Sequence, residues 1–325
     1  MKKNLRLLLA LLAVFALFAA ACSDDDDSSD SGSSTDDSTT DDSTASGGGG
    51  DVGDVPTITI GVQDFGESAI VSEIYSQVLT ENGYDVELQD LGGFRDLEAA
   101  AFEGGDINFA ASEYVASMLL FLDPDTEPDV ASDVGAATEA LSEALAAGDF
   151  GGTEITAFQY SEAVDTNSFV VTSDSDLTSL ADLTDETVLG APQDCEENPF
   201  CLPGLERVYG VDLTGGFVPL DGGPLVAEAL DAGEIEVGVI FSTSGLLAGG
   251  DYTTLEDPDG LAAADNLIPV ATTELADAGG TDLAALIDEI SASLTTEDLV
   301  AMNERFDIEA EDADVIAEDF VAENF

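Results

Sequence analysis

Thr57-Ile58-Thr59-Ile60-Gly61-Val62 alternates polar and apolar positions and reads as a strand. Directly behind it the rhythm changes. Ile70, Val71, Ile74, Tyr75, Val78 and Leu79 recur at helical spacing, which predicts a helix over 68–82 that stops at Gly83. The exchange continues with strands at 85–88 and 107–111 and helices at 94–103 and 113–122. It restarts as strands at 169–172, 187–191, 217–220 and 237–241, interleaved with helices at 177–183, 205–209 and 225–232. Helices at 282–294, 297–304 and 312–323 close the chain. Strands alternating with helices imply parallel sheets with crossover helices. Two such series, with helices returning at the end, imply an α/β protein of two lobes joined by crossing segments. Lobe 1 is expected from 56–164 plus 268–325, and lobe 2 from 165–267. Ligands in such folds sit at the carboxyl ends of the strands and between domains.

The first 55 residues obey neither rhythm. Lys2, Lys3 and Arg6 precede an uncharged stretch over 7–20, and Ala19-Ala20-Ala21-Cys22 follows. A basic start, an apolar stretch of this length and a small-residue site describe a secretory signal over 1–21. A membrane span needs about 20 apolar residues. The cysteine makes the site resemble the lipobox of bacterial lipoproteins, in which that thiol carries diacylglycerol. By that resemblance Cys22 is the lipidated N-terminus, acyl chains contributing about 0.8 kcal/mol per buried methylene, and the only membrane contact is this anchor. From 23 to 50 the chain is Asp, Ser, Thr and Gly, with Ala45 the single apolar residue. Such a composition buries too little to offset chain entropy, so 22–55 is expected to be a disordered tether. The Asp24–Asp27 run reads as a solvated spacer.

Charge then restricts the partners. The chain has 70 acidic and six basic residues, a formal charge of −64, and no histidine. Removing 1–21 takes both lysines and one arginine, and leaves Arg95, Arg207 and Arg305 as the only basic side chains. So acidic a surface repels nucleic acid and anionic lipid. It also repels itself at low salt, whereas the Debye length contracts to about 3 Å at 1 M. A saline working medium is the expectation.

Catalytic chemistry finds few of its usual groups. Without histidine the common general base and metal ligand are missing, and without a mature lysine so is Schiff-base chemistry. G-x-S-x-G, G-x-x-x-x-G-K and G-x-G-x-x-G do not occur. Asp257-Pro258-Asp259-Gly260 resembles a calcium loop but has Leu255 and Asn266 where the first and twelfth ligands belong, so it reads as a turn. No catalytic residue, metal or cofactor is expected, and the protein is not read as an enzyme. Cys195 and Cys201 remain once Cys22 is lipidated. In an oxidising compartment they are most simply a disulfide beside the cleft, worth about 2 kcal/mol by loop entropy.

Several stretches resemble the osmoprotectant solute-binding proteins of ABC importers, the glycine betaine, carnitine and choline family. They are 60–68 (Ile-Gly-Val-Gln-Asp-Phe-Gly-Glu-Ser), 103–107 (Glu-Gly-Gly-Asp-Ile), 112–114 (Ser-Glu-Tyr), 205–210 (Leu-Glu-Arg-Val-Tyr-Gly), 232–238 (Ala-Gly-Glu-Ile-Glu-Val-Gly) and 241–245 (Phe-Ser-Thr-Ser-Gly). The resemblance runs from Thr57 to Phe325 and implies a type II periplasmic-binding-protein fold, two lobes closing over a ligand cleft. It implies an extracytoplasmic, monomeric lipoprotein that hands a quaternary ammonium or other small zwitterion to an ABC permease. Members hold the quaternary ammonium against aromatic faces, a contact worth about 2 kcal/mol when desolvated. The matching positions are Tyr114, Tyr209 and Phe241, while Gln63 and Thr243 match polar positions near the ligand's other end. Asn167 stands where the family supplies a further tyrosine, which leaves open an amino acid or another zwitterion as ligand. A surface receptor without transport is the remaining alternative.

Overall fold

The computed structural model describes residues 52–325. The predicted signal, Cys22 and most of the tether lie outside the described residues. Val52 and Val55 already pack against the first core, so ordered packing begins a little before Pro56.

The strands are β1 (Ile58–Val62), β2 (Val86–Asp90), β3 (Phe109–Tyr114), β4 (Ile155–Ala157), β5 (Asn167–Thr172), β6 (Leu189–Ala191), β7 (Phe217–Pro219), β8 (Val237–Phe241), β9 (Tyr252–Thr254) and β10 (Leu267–Thr272). The α-helices are α1 (Gly66–Glu81), α2 (Arg95–Gly104), α3 (Val115–Leu122), α4 (Pro128–Ala131), α5 (Val134–Ala146), α6 (Leu202–Tyr209), α7 (Gly223–Asp231), α8 (Thr273–Ser293), α9 (Thr296–Asn303) and α10 (Ala313–Asn324). Two five-stranded sheets result, in the orders β2-β1-β3-β10-β4 and β7-β6-β8-β5-β9.

Neither sheet is wholly parallel, contrary to the simple alternation of elements. β10 runs antiparallel to β3 and β4, and β5 runs antiparallel to β8 and β9. Both are the strands by which the chain enters a sheet after crossing from the other. The crossing segments run side by side: Val164 bridges Asn266, and the amide of Asp165 donates to the carbonyl of Asp265 at 2.9 Å.

Other differences have local causes. β10 escapes the strand pattern because Pro269 interrupts it, and the ladder to β3 shifts register between Ile268 and Val270. A proline inside a sheet cannot donate to the ladder and goes with such irregularities. The helix expected from 282 begins at Thr273, since α8 continues across a break at Gly280, whose φ is 57°. Glu113 belongs to β3 and not to the following helix. The segment 177–183 forms only a short turn of 3-10 helix, Leu180–Asp182, closed by the Ser179 capping box. The unpredicted α5 buries Ala137, Leu141 and Leu145 on one face and is capped by Asp133, which accepts from the amide of Ala136 at 2.8 Å.

The first sheet lies between two cores. Ile58, Ile60, Ile74, Tyr75 and Leu79 pack with α8 to α10 on one face, and Phe102, Met118, Leu141 and Phe150 fill the other. The second sheet is covered by Leu189, Leu202, Leu205 and Val237 on one side and by Val226, Leu230 and Ile240 on the other. Among the described residues no helix is long and apolar enough to cross a membrane.

A further tie joins the strand systems. A side chain at Gly245 would come within 2.5 Å of the Glu304 amide, so glycine is what allows the turn after β8 to press on the end of α9. The Asn303 side chain then donates to the Thr243 carbonyl and to Glu67 Oε2, both at 2.8 Å.

Candidate functional site

A cleft of about 500 Å³ opens where the crossing segments meet the carboxyl ends of β1, β3 and β8. From the first sheet it receives Phe65, Arg95, Tyr114 and Ser117. From the crossing segments it receives Asp165 and Asp265, and from the second sheet's side Asn167, Asp194, Asn198, Phe200 and Phe241. Its size falls within the range of small-molecule sites, about 300–1,000 Å³.

Each aromatic has a local reason for its place. Phe65 follows β1 at the start of α1, and Tyr114 is the last residue of β3 before α3. Tyr114 donates its hydroxyl to Glu67 Oε1 at 2.7 Å, which fixes the ring. Phe241 ends β8 beside Asn167 of β5, and 58% of its surface is exposed. Phe200 and Asn198 come from the loop closed by the Cys195–Cys201 disulfide, whose Cα atoms are 5.2 Å apart. The expected staple is present and presents two cleft residues.

The remaining predicted site residues stand elsewhere. Gln63 is buried, its amide donating to Glu98 and to Glu113 Oε1 at 2.9 Å. Thr243 lies one layer behind the cleft and donates to Asp165 Oδ1 at 2.8 Å. Tyr209 does not line the cleft. Its hydroxyl donates to Asp257 and accepts from the Asp259 amide at 3.1 Å, so it pins the 257–260 turn. Burial and the Asp257 hydrogen bond push that phenol up to about 12. Asp257 lines a side cavity of about 170 Å³ that shares Thr166 and Asn167 with the cleft. The structure thus brings together Tyr114, Asn167 and Phe241, and sets Gln63, Thr243 and Tyr209 around them. Among the described residues no group of three or more metal-ligating side chains occurs.

The electrostatics are lopsided. Arg95 is the cleft's only cation, and its Nε lies 2.9 Å from Oε2 of the fully buried Glu113. Burial opposes the guanidinium charge, but Glu113 and Glu98 outweigh it and hold the pKa above the usual value. Glu98 is pushed well up by burial and by its neighbour Glu113, with Arg95 and the Gln63 amide opposing that rise. Asp265 accepts from the amide and hydroxyl of Ser117 at 2.7 and 3.0 Å, and burial still raises its pKa. Burial also raises Glu67, while burial and the Glu67 charge push Asp165 up to about 8. A cation placed beside such carboxyls would favour their ionised form.

Phe65, Arg95, Ser117, Asp165, Asp194, Asn198, Phe200 and Asp265 line the cleft without being among the residues expected from sequence. Two signals pointed to some of them. Arg95 is one of three arginines after residue 6 in a chain of 70 acids, and the short disulfide loop marks a rigid projection.

The family described as the substrate-binding domain of the ABC-type glycine betaine transport system matches residues 56–323. Among proteins of curated function, none matches the chain by sequence. Of solved structures, a glycine betaine/carnitine/choline ABC transporter protein is similar with a TM-score of 0.71 and 22% identity, over 82% of this chain and 98% of that one. Apo YehZ from Escherichia coli gives 0.66 and 22%, over 82% and 98%. Lactococcal OpuAC in its closed form with glycine betaine gives 0.54 and 15%, over 82% and 95%. At these identities the structures establish a shared fold of the periplasmic-binding-protein type. The family match over nearly all of the described residues establishes more: this chain belongs to the substrate-binding domains of ABC-type glycine betaine transport systems.

Proposed function

We propose that the protein is the extracytoplasmic solute receptor of an ABC importer, anchored through a lipid on Cys22, and that its cleft captures a quaternary ammonium solute such as glycine betaine, choline or carnitine. The observation that carries this reading is that Tyr114 and Phe241 line one cleft together with Asp165, Asp194 and Asp265. Aromatic faces attract a cation through their quadrupole, most strongly where water is excluded, and nearby carboxylates add to that attraction. Neither interaction needs a hydrogen bond from the ligand, which a trimethylated nitrogen cannot give. The matured receptor works in a saline medium, where its acidic surface is screened.

A thermal-shift panel on the full chain in about 1 M salt tests the ligand class. A rise in melting temperature with quaternary ammonium solutes, and none with amino acids, is expected. Stabilisation by amino acids alone would replace this ligand class. Loss of solute uptake when the gene is deleted, restored by the wild-type chain and not by Cys22→Ala, is expected for an anchored receptor.

A further inference from the structure

The cleft's acids exceed what its cation can neutralise. Arg95 is committed to Glu113, and both oxygens of Asp265 are occupied by Ser117. Asp165 is in a different position. It lines the cleft directly, its hydrogen-bond support comes from Thr243, and it forms no ion pair with any of the chain's described arginines. The groups around it are mostly acidic. Glu67 reaches it from α1, Asp265 from the adjoining crossing segment, and the Tyr114 phenol from β3. Asp194 lies on the second sheet's wall of the same cleft, Glu113 and Arg95 stand behind Tyr114 and Asp265, and Asp307 stands behind Glu67. In this setting burial and the neighbouring Glu67 hold the Asp165 carboxyl up to about 8.

Taking the cleft as the solute site proposed above, we infer that Asp165 is its specificity-determining residue, selecting a solute of net positive charge that enters in exchange for the proton Asp165 carries when the site is empty. The exchange balances. The O–H bond of Asp165 breaks, its proton passes to the buffer, and the carboxylate left behind faces the incoming cation, so the charge in the cleft is unchanged. A zwitterion gains less. The cleft offers its carboxylate the Asn167 and Asn198 side chains but no unpaired arginine, beside Asp165, Asp194 and Asp265. Because binding releases a proton, affinity for the cation rises with pH, by at most about tenfold per unit, until Asp165 ionises by itself near 8.

Titration calorimetry of the full chain with choline and with glycine betaine tests this, at about pH 7 in two buffers of different protonation enthalpy. For choline the heats should differ between buffers by an amount equal to about one proton released per site. Choline should bind at least about tenfold more tightly than glycine betaine. Asp165→Asn should abolish the release and bring the two affinities within about threefold of each other. Equal choline heats in the two buffers, or glycine betaine binding as tightly as choline, would overturn the inference. The wild-type buffer pair decides the exchange even if Asp165→Asn does not fold. Choline binding without proton release contradicts the exchange and leaves the solute reading intact. Silence toward both solutes contradicts the solute reading and the exchange together.

Discussion

The phenolic oxygen of Tyr114 lies 2.7 Å from Oε1 of Glu67, a side chain only 6% exposed. The other oxygen of that carboxyl takes the Asn303 amide, which in turn holds the Thr243 carbonyl, so the cleft's tyrosine is tied through one buried acid to α1, α9 and the turn after β8. Tyr114→Phe keeps the ring and removes the donor. It should lower stability by about 1–3 kcal/mol, the usual cost of an unpaired buried polar group, and leave solute affinity within a few-fold. Chemical unfolding alongside titration checks it. An unchanged unfolding midpoint would mean that the hydrogen bond does not organise the site.

The buried carboxyls give stability an unusual pH course. Glu67, Glu98, Asp165 and Asp265 all have raised pKa values, chiefly through burial. The folded chain therefore holds protons that the unfolded chain releases. This contribution is complete below the unfolded value near 4 and is lost as pH rises through the folded values, about 8 for Asp165. The ligand-free protein should melt at a lower temperature at about pH 8 than at about pH 5.5, in fixed high salt. A melting temperature that climbs over that interval would contradict these assignments.

Salt should act in the opposite sense from its usual effect on ion pairs. The described residues contain only three ion-pair contacts, two of them from Arg305, so screening has few attractions to weaken against a formal charge of −64. Melting temperature should rise between about 0.1 M and about 1 M potassium chloride, as the Debye length shortens from about 10 Å to about 3 Å. A flat profile would remove the case for a saline habitat.

The disulfide holds a loop that furnishes Asn198 and Phe200 to the cleft. Cys195→Ser with Cys201→Ser should cost about 2 kcal/mol in stability. It should also weaken solute binding more than it changes the pH course above. Retained affinity after loss of the bridge would make the staple purely structural.

Much of the fold was readable because alternation in Thr57–Val62 and helical spacing from Ile70 to Leu79 are local signals. What escaped were elements whose local signal is broken: β10 by Pro269, the start of α8 by Gly280. The antiparallel strands escaped for another reason, since direction is set by which side the chain enters from. The site was less legible. Tyr114, Asn167 and Phe241 reach the cleft from motifs spaced along the chain. Asp165 and Asp265 meet only because the two crossing segments pair, a contact across 100 residues that no short window contains.

The central claim, that this cleft holds a quaternary ammonium against aromatic faces, is tested most directly by equilibrium titration of wild-type and Tyr114→Ala chains with choline and glycine betaine. Titration in about 1 M salt should give micromolar binding of at least one of them to the wild type, and about thirtyfold weaker binding to Tyr114→Ala, the loss expected of a desolvated cation–π contact. Equal affinity of the two chains, or no binding of either solute to the wild type, would contradict it.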